Sequence, residues 1–509
     1  MRSMRRAARI IAATLLLNIA TPAAQQAAAP KDAAETPKAR TSVTDHSARI
    51  GGKTIAYTAT AGTMLMEENG KPRALMGFTA YEQKGVDKTT RPIMFAYNGG
   101  PGSASLWLHM GVLGPERAVV KDADFSPNGP FTRVDNEYSI LDESDLVMID
   151  PVGTGFSRPV GEATGKDFWG VDQDIKSVSE FIVRYLTMHG RWASPKYVLG
   201  ESYGGMRTGG VAYYLLSRHM VALNGVILVS PFMEMLTGFA GLGVDLPHVM
   251  YLPTFAATAR YHGMLDPKPA DLVTFMEEAR TFALTEYAPA LLMGSRLPAA
   301  GRQAVVAKLA RFTGLSAEYW DRANLRISEG QFTQELMRKT GKVAGRIDSR
   351  FIGESINPLS EFAVYDPMTS AIGPGYLAAF MDYYRRELEV DAEGETYTVF
   401  GNVFLDWDWS HAQPDVTGIP KLPFPNTSVD LAYTMRQNPG MKVLVQQGYY
   451  DLATPHLATE YYIEHLAIPD RLRKNIELAY YEAGHMMYVH EPSLVKFKKD
   501  LAAFVRGSH

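Results

Sequence analysis

An α/β fold with a mixed, mostly parallel central sheet and a large helical insertion is what this sequence predicts. Three observations predict it. Short apolar runs end in glycine-bearing turns at Asn98–Gly102, Pro151–Ser157 and Gly200–Gly205, with a helical period between the last two. From about Pro231 to Asn426 the pattern changes to helical segments separated by proline and glycine breaks. Strand-like runs then return at Met441–Gly448 and Asn475–Tyr481. Alternating strands and helices imply βαβ units and a parallel sheet. The late return of strands favours one interrupted sheet over two domains in tandem.

Taken in order, the chain opens with a basic cluster, Arg2, Arg5, Arg6 and Arg9, ahead of the apolar run Ile10–Ala20 and small residues to Ala29. That is the form of a signal peptide over residues 1–29, the alternative being an uncleaved anchor. Residues 30–41 read as a flexible leader. The expected destination is the periplasm or the cell exterior, with no membrane span once the signal is removed. From about Ser47 to Tyr81, alternating residues with Gly51-Gly52 and Asn69-Gly70 predict hairpins. Buried strands follow at Pro92–Tyr97, Asp145–Asp150, Lys196–Leu199 and Asn224–Ser230, with helices at Asp172–His189 and Thr208–Arg218. Within the insertion, helices are expected at Asp271–Leu284, Arg302–Phe312, Ala317–Ile327 and Gly375–Leu388, and no strong buried strand. A helix from Pro455 to Ala467 and a final one from Ser493 to Val505 complete the order. The expected division is a core over 42–230, a helical insertion or cap over 231–426, and the rest of the core over 427–506.

Composition excludes several classes. The net charge of −4 over 509 residues gives no electrostatic reason to expect nucleic acid or an anionic membrane as partner. Zero cysteines exclude thiol catalysis and cysteine-ligated zinc, and no His-Glu-x-x-His motif occurs. No metal and no cofactor are expected.

Gly200-Glu201-Ser202-Tyr203-Gly204-Gly205 stands between a strand-like and a helix-like run, the setting in which a sharp turn raises a serine above a sheet. Ser202, Asp451 and His485 each fall just beyond a predicted strand, in the chain order of an α/β-hydrolase triad. A serine hydroxyl is a poor nucleophile at neutral pH, so an imidazole must take its proton, and a carboxylate must orient that imidazole. His490 is the nearest rival to His485, and Asp451 could instead cap the following helix.

Four motifs together resemble the serine carboxypeptidase family, particularly its bacterial members: Asn98-Gly99-Gly100-Pro101-Gly102, Val152-Gly153-Thr154-Gly155-Phe156-Ser157, Gly200–Gly205 and Gly484-His485-Met486. The resemblance covers roughly Ile93–Ser230 and Met441–Tyr488. It implies a serine-type carboxypeptidase acting on peptide or protein C-termini through an acyl-enzyme, best at acidic pH. An esterase or acyltransferase on the same triad is the alternative. The N–H groups of Gly100 and Tyr203 would form the oxyanion hole, in line with the general elbow rule. Asn98, Gly99 and Glu201 would bind the substrate's terminal carboxylate, which requires a raised Glu201 pKa, because two carboxyl groups share a hydrogen bond only when one is protonated. The alternative is that Glu201 packs beneath the turn. Met486 would contact the departing residue, or be a core methionine. Two departures stand out: Ser103 where the family often has cysteine, and no clear further acidic residue around His109–Leu113, Glu116 aligning poorly.

Overall fold

The computed structural model describes residues 38–508 except Pro127, Leu242, Glu393 and 415–420. The expected signal peptide and the expected leader up to residue 37 lie outside the described residues. Thr41, the last residue of that leader, already opens the first strand. β1 (Thr41–Ile50), β2 (Lys53–Glu68) and β3 (Lys71–Gln83) form two antiparallel hairpins. Gly51, Gly52, Asn69 and Gly70 all take positive φ at their tips, as two-residue hairpin turns require. Pairing begins earlier than the alternation from Ser47 suggests, because Thr41 lies opposite Gly62.

The buried strands are β4 (Ile93–Tyr97), β5 (Asp145–Ile149), β6 (Lys196–Glu201), β7 (Gly225–Val229), β8 (Lys442–Gly448) and β9 (Ile476–Tyr481). The sheet order is β1-β2-β3-β5-β4-β6-β7-β8-β9, with Arg158–Pro159 paired to β3 off that path. Every pairing from β5 to β9 is parallel. β4 to β7 are buried along their whole length, so they read as continuous apolar runs rather than alternating ones. Their side chains nevertheless divide between two cores. Ile93 and Phe95 face one packed against α1 (Val171–Met188) and α2 (Tyr203–His219). Met94 and Ala96 face the other, shared with helices Pro367–Arg386 and Glu491–Gly507.

Register places the chemistry. Tyr97 lies beside Gly200, Glu201 beside Val229, Val229 beside Gln446, and Gly448 beside Tyr481. The turns after β4, β6, β7, β8 and β9 therefore crowd one edge, where open α/β sheets hold ligands.

Between β7 and β8 the chain is mainly helical. The expected helices are present as Leu272–Phe282, Ala299–Thr313 and Pro367–Arg386. The one expected over Ala317–Ile327 stops at Arg322, because Asn324 and Leu325 turn to positive φ. α3 (Leu246–Tyr261) and Glu329–Met337 were not anticipated. Two short strands, Lys342–Ala344 and Ile352–Glu354, pair where no strong strand was expected; three residues are too few to show alternation. These helices enclose a third apolar cluster that takes in Leu452 and Leu457, on either side of the loop that follows Asp451.

Candidate active site

Ser202 links β6 to α2 with φ 63° and ψ −130°. A non-glycine residue held there costs about 1–3 kcal/mol. The surroundings enforce it. Ser202 N–H donates to Val229 O at 3.0 Å, while its carbonyl accepts from Gly205 N at 2.8 Å and Phe232 N at 2.9 Å. A Cβ at Gly200 would lie 2.2 Å from Gly204 O, and one at Gly205 would lie 2.6 Å from Pro231 Cβ, so the turn closes only around glycine. Glu201 and Tyr203 are buried, whereas Ser202 between them is partly exposed. The helix starts at Tyr203 rather than at Thr208, which sets Ser202 at its N-terminal entry.

The loops after β8 and β9 bring Asp451 and His485 together. His485 Nδ1 lies 2.8 Å from Asp451 Oδ2. Asp451 is fully buried and saturated: Oδ1 accepts from Ala453 N at 2.8 Å and Thr454 N at 2.9 Å, and Oδ2 lies 2.7 Å from Thr454 Oγ1. Those loop amides, not a helix, are what Asp451 caps; the following helix begins at His456 with Pro455 at its cap. A carboxylate accepts only, so Nδ1 carries the proton and Nε2 is left as the base. Among the described residues, neither Nε2 nor Ser202 Oγ has a hydrogen-bond partner. Burial pulls His485 down, but the Asp451 carboxylate and its hydrogen bond, with the charge of Glu201, outweigh it, and the pKa is raised. Ser230 ties the parts to one another: its Oγ donates to His485 O at 2.8 Å, and its carbonyl accepts from Thr454 Oγ1 at 2.9 Å. His490 instead meets Ser493 Oγ at 2.8 Å, at the entry to the last helix.

Gly99 lies against the elbow so closely that a Cβ would be 2.5 Å from Tyr203 N and 2.7 Å from Glu201 O. This contact brings the Gly100 segment to the first turn of α2. Among the described residues the N–H groups of Gly100 and Tyr203 have no intramolecular acceptor. Unpaired donors at a helix N-terminus and a glycine turn can receive a developing oxyanion.

Beside them sits a buried carboxyl. Asn98 Oδ1 accepts from Leu108 N at 3.0 Å, which orients the amide so that Nδ2 donates to Glu201 Oε1 at 2.7 Å. Arg207 holds Asn98 from below, donating to its carbonyl at 2.7 Å and to Asp174 Oδ2 at 2.7 Å. Glu201 Oε2 accepts from Tyr488 Oη at 2.8 Å. Burial raises the Glu201 pKa to about 7, against the lowering effects of His485, Tyr488 and Asn98. Glu201 thus packs beneath the turn and also reaches this edge. Met486 is 7% exposed and joins the apolar core next to His485.

Tyr488 and Thr454 were missed by sequence reasoning. A hydroxyl three residues past each of the two loop residues, Asp451 and His485, was the available signal. His109–Leu113 is a buried turn without a carboxylate, and a Cβ at Gly111 would lie 2.4 Å from the Tyr488 ring. The phenol occupies that space. Glu116 pairs elsewhere, with Arg133. Ser103 Oγ accepts from Trp107 Nε1 at 3.1 Å.

Residues 60–265 match the family model described as serine carboxypeptidase. Over that stretch, less than half of its length, the chain resembles the serine carboxypeptidase family. Serine carboxypeptidase-like 45 of Arabidopsis thaliana is 25% identical over 210 residues, 39% of this chain and 42% of that protein. Serine carboxypeptidase-like 36 of the same plant is 30% identical over 151 residues, 28% of each chain. The matches span less than half the length of these relatives. Among solved structures, a prohormone-processing carboxypeptidase from Saccharomyces cerevisiae aligns over 89% of this chain and 92% of its own, with TM-score 0.55 and 15% identity, a likeness of fold. The matched stretch holds Asn98–Gly102 and Gly200–Gly205. Asp451 and His485 lie beyond it, and their assignment stands on the geometry described above.

Proposed function

We propose that the protein is a serine-type carboxypeptidase that releases C-terminal residues from peptides through an acyl-enzyme, favoured at acidic pH. The observation that carries this reading is the buried Asn98–Glu201–Tyr488 cluster beside Ser202. A plain esterase has no need of a carboxyl held at a pKa of about 7 next to its nucleophile.

In this reading Ser202 Oγ attacks the carbonyl carbon of the last peptide bond while His485 Nε2 takes its proton. Asp451 stabilises the imidazolium, and Gly100 N–H and Tyr203 N–H receive the oxyanion. Collapse breaks the C–N bond, His485 returns the proton to the leaving amine, and water then hydrolyses the acyl-enzyme with His485 again as base. Protonated Glu201, with Asn98, binds the terminal carboxylate, and Gly99 keeps the approach narrow. Met486 stands on the leaving side.

Two protonation states must coincide. Glu201 needs its proton, which it holds below about pH 7. His485 must be neutral, which requires a pH above its raised pKa. Each charge stabilises the other, so the two titrate as a pair. Free-acid substrates should therefore show a bell whose alkaline limb lies near pH 7.

We further read residues 231–426 as a cap set into a core of 42–230 and 427–506, and the chain as exported. Among the described residues, no helix is long and apolar enough to cross a membrane. The alternative, an esterase or acyltransferase, draws on one observation: His109–Leu113 carries no carboxylate, and Glu201 Oε2 meets the Tyr488 hydroxyl. The test compares an N-blocked dipeptide with its C-terminal amide and ester, on wild type and Glu201→Ala. Preference for the free acid only with Glu201 intact supports the proposal. Ester turnover indifferent to the terminal carboxylate would replace it with the alternative.

A further inference from the structure

The segment between the short strands Lys342–Ala344 and Ile352–Glu354 runs against both loops that carry the base and its acid. Four consecutive residues hold them. Arg346 O accepts from Leu452 N at 3.1 Å, Ile347 O accepts from His485 N at 2.8 Å, and Ser349 N donates to Tyr450 O at 3.0 Å. Asp348 Oδ2 accepts from Gly484 N at 3.0 Å. Both neighbours of Asp451, and His485 with the residue before it, thus hang from one stretch of chain.

That stretch is itself braced. Gly345 N donates to Phe351 O at 2.8 Å, and Asp366 Oδ2 accepts from Arg346 N at 2.7 Å and Ile347 N at 3.1 Å. Ser349 Oγ lies 2.6 Å from Thr258 Oγ1 on α3. Asp348 is fully buried and takes Arg350 Nη2 at 2.6 Å and Nε at 3.0 Å. Arg350 also reaches Asp122 at 2.9 Å. Contact with the histidine loop is tight enough that a Cβ at Gly484 would lie 2.4 Å from Asp348 Cβ.

A buried carboxylate is costly, and the guanidinium offsets that cost. Oδ1 also accepts from Arg350 N at 3.0 Å within the strap, and the carboxylate's one bond outside it to a backbone N–H is to the group directly before His485. The strands need no such help, since β8 and β9 pair in register up to Gly448 and Tyr481. The strap acts only past their ends, where the separation of His485 from Asp451 and Ser202 is decided.

We propose that Ile347 and Asp348 are positioning residues for His485: the segment inserted between β7 and β8 supplies a strap that fixes the base against both Asp451 and the nucleophile. This rests on the reading of Ser202, Asp451 and His485 as a triad. The test measures Ser202 labelling by a diphenyl phosphonate, kcat and KM on a blocked ester, and the melting temperature. It is run on wild type, Asp348→Ala, Asp348→Asn and Gly484→Ala. Asp348→Ala is expected to lower labelling and kcat about 100-fold with KM within about threefold, the scale of a roughly 1 Å misplacement. Asp348→Asn keeps an acceptor for Gly484 N–H and should recover about a tenth or more of the wild-type rate. Should Asp348→Ala fail to fold, Gly484→Ala is judged by the same split. Labelling and kcat within about twofold of wild type in Asp348→Ala, or in Gly484→Ala where it stands in, whatever the melting temperature, would overturn the strap. An unlabelled wild type would instead overturn the triad on which it rests.

Discussion

The Tyr488 hydroxyl lies 2.8 Å from Glu201 Oε2, its ring filling the space that Gly111 leaves open. A neutral donor thus meets the Glu201 carboxyl. The hydroxyl lowers the Glu201 pKa, against the larger rise from burial. Tyr488→Phe should therefore move the alkaline limb of free-acid hydrolysis to higher pH and raise KM for acids while sparing esters. The pH dependence of kcat/KM on both substrates checks this.

His485 should respond in opposite directions to two neighbours. The Arg346 charge lowers its pKa and the Glu201 charge raises it. On ester substrates, Arg346→Gln should shift the acidic limb upward and Glu201→Gln should shift it downward. Shifts of the same sign would contradict the placement of these charges.

Gly99→Ala would set a methyl 2.5 Å from Tyr203 N and 2.7 Å from Gly204 N, both backbone atoms unable to yield cheaply. Displacing one oxyanion donor costs about 10²–10³-fold in kcat. Phosphonate labelling of Ser202 should fall by that order, with KM for esters changing far less.

His411 joins Asp172 and Asp430, with Nδ1 2.6 Å from Asp172 Oδ1 and Nε2 2.9 Å from Asp430 Oδ2. It anchors the segment whose Trp407 packs 5.4 Å from the Tyr203 ring. Burial alone would lower its pKa, but the two carboxylates raise it from 6.5 to about 9. The folded state holds the proton more tightly, so this stabilisation is complete below about pH 6.5 and is lost as pH rises through about 9. At about 1.4 kcal/mol per unit, the loss is roughly 3 kcal/mol. Melting temperatures of wild type and His411→Gln should differ most below about pH 6.5 and converge above about pH 9.

Much of this was legible in the sequence where local chemistry decides. The hairpin tips at Gly51-Gly52 and Asn69-Gly70, the apolar centres of β4–β7 and the glycines around Ser202 each state their constraint in neighbouring residues. α3 was not legible: it is buried on nearly every side, so it shows no one-sided apolar period, and the interior Pro253 argues locally against a helix. Tyr488 and Asp348 were hidden for another reason. Their partners, Glu201 and Gly484, lie far away in the chain, and only the fold joins them.

In the proposed reaction Glu201 must carry a proton for a peptide's free carboxylate to be read beside Ser202. The measurement that tests it most directly is kcat/KM from about pH 4 to about pH 9 for a blocked dipeptide acid and its ester, on wild type and Glu201→Gln. The account predicts an alkaline limb near pH 7 for the acid alone, absent from the ester and abolished in Glu201→Gln, whose amide donates at every pH. Identical profiles for acid and ester in the wild type, or an unchanged limb in Glu201→Gln, would contradict it.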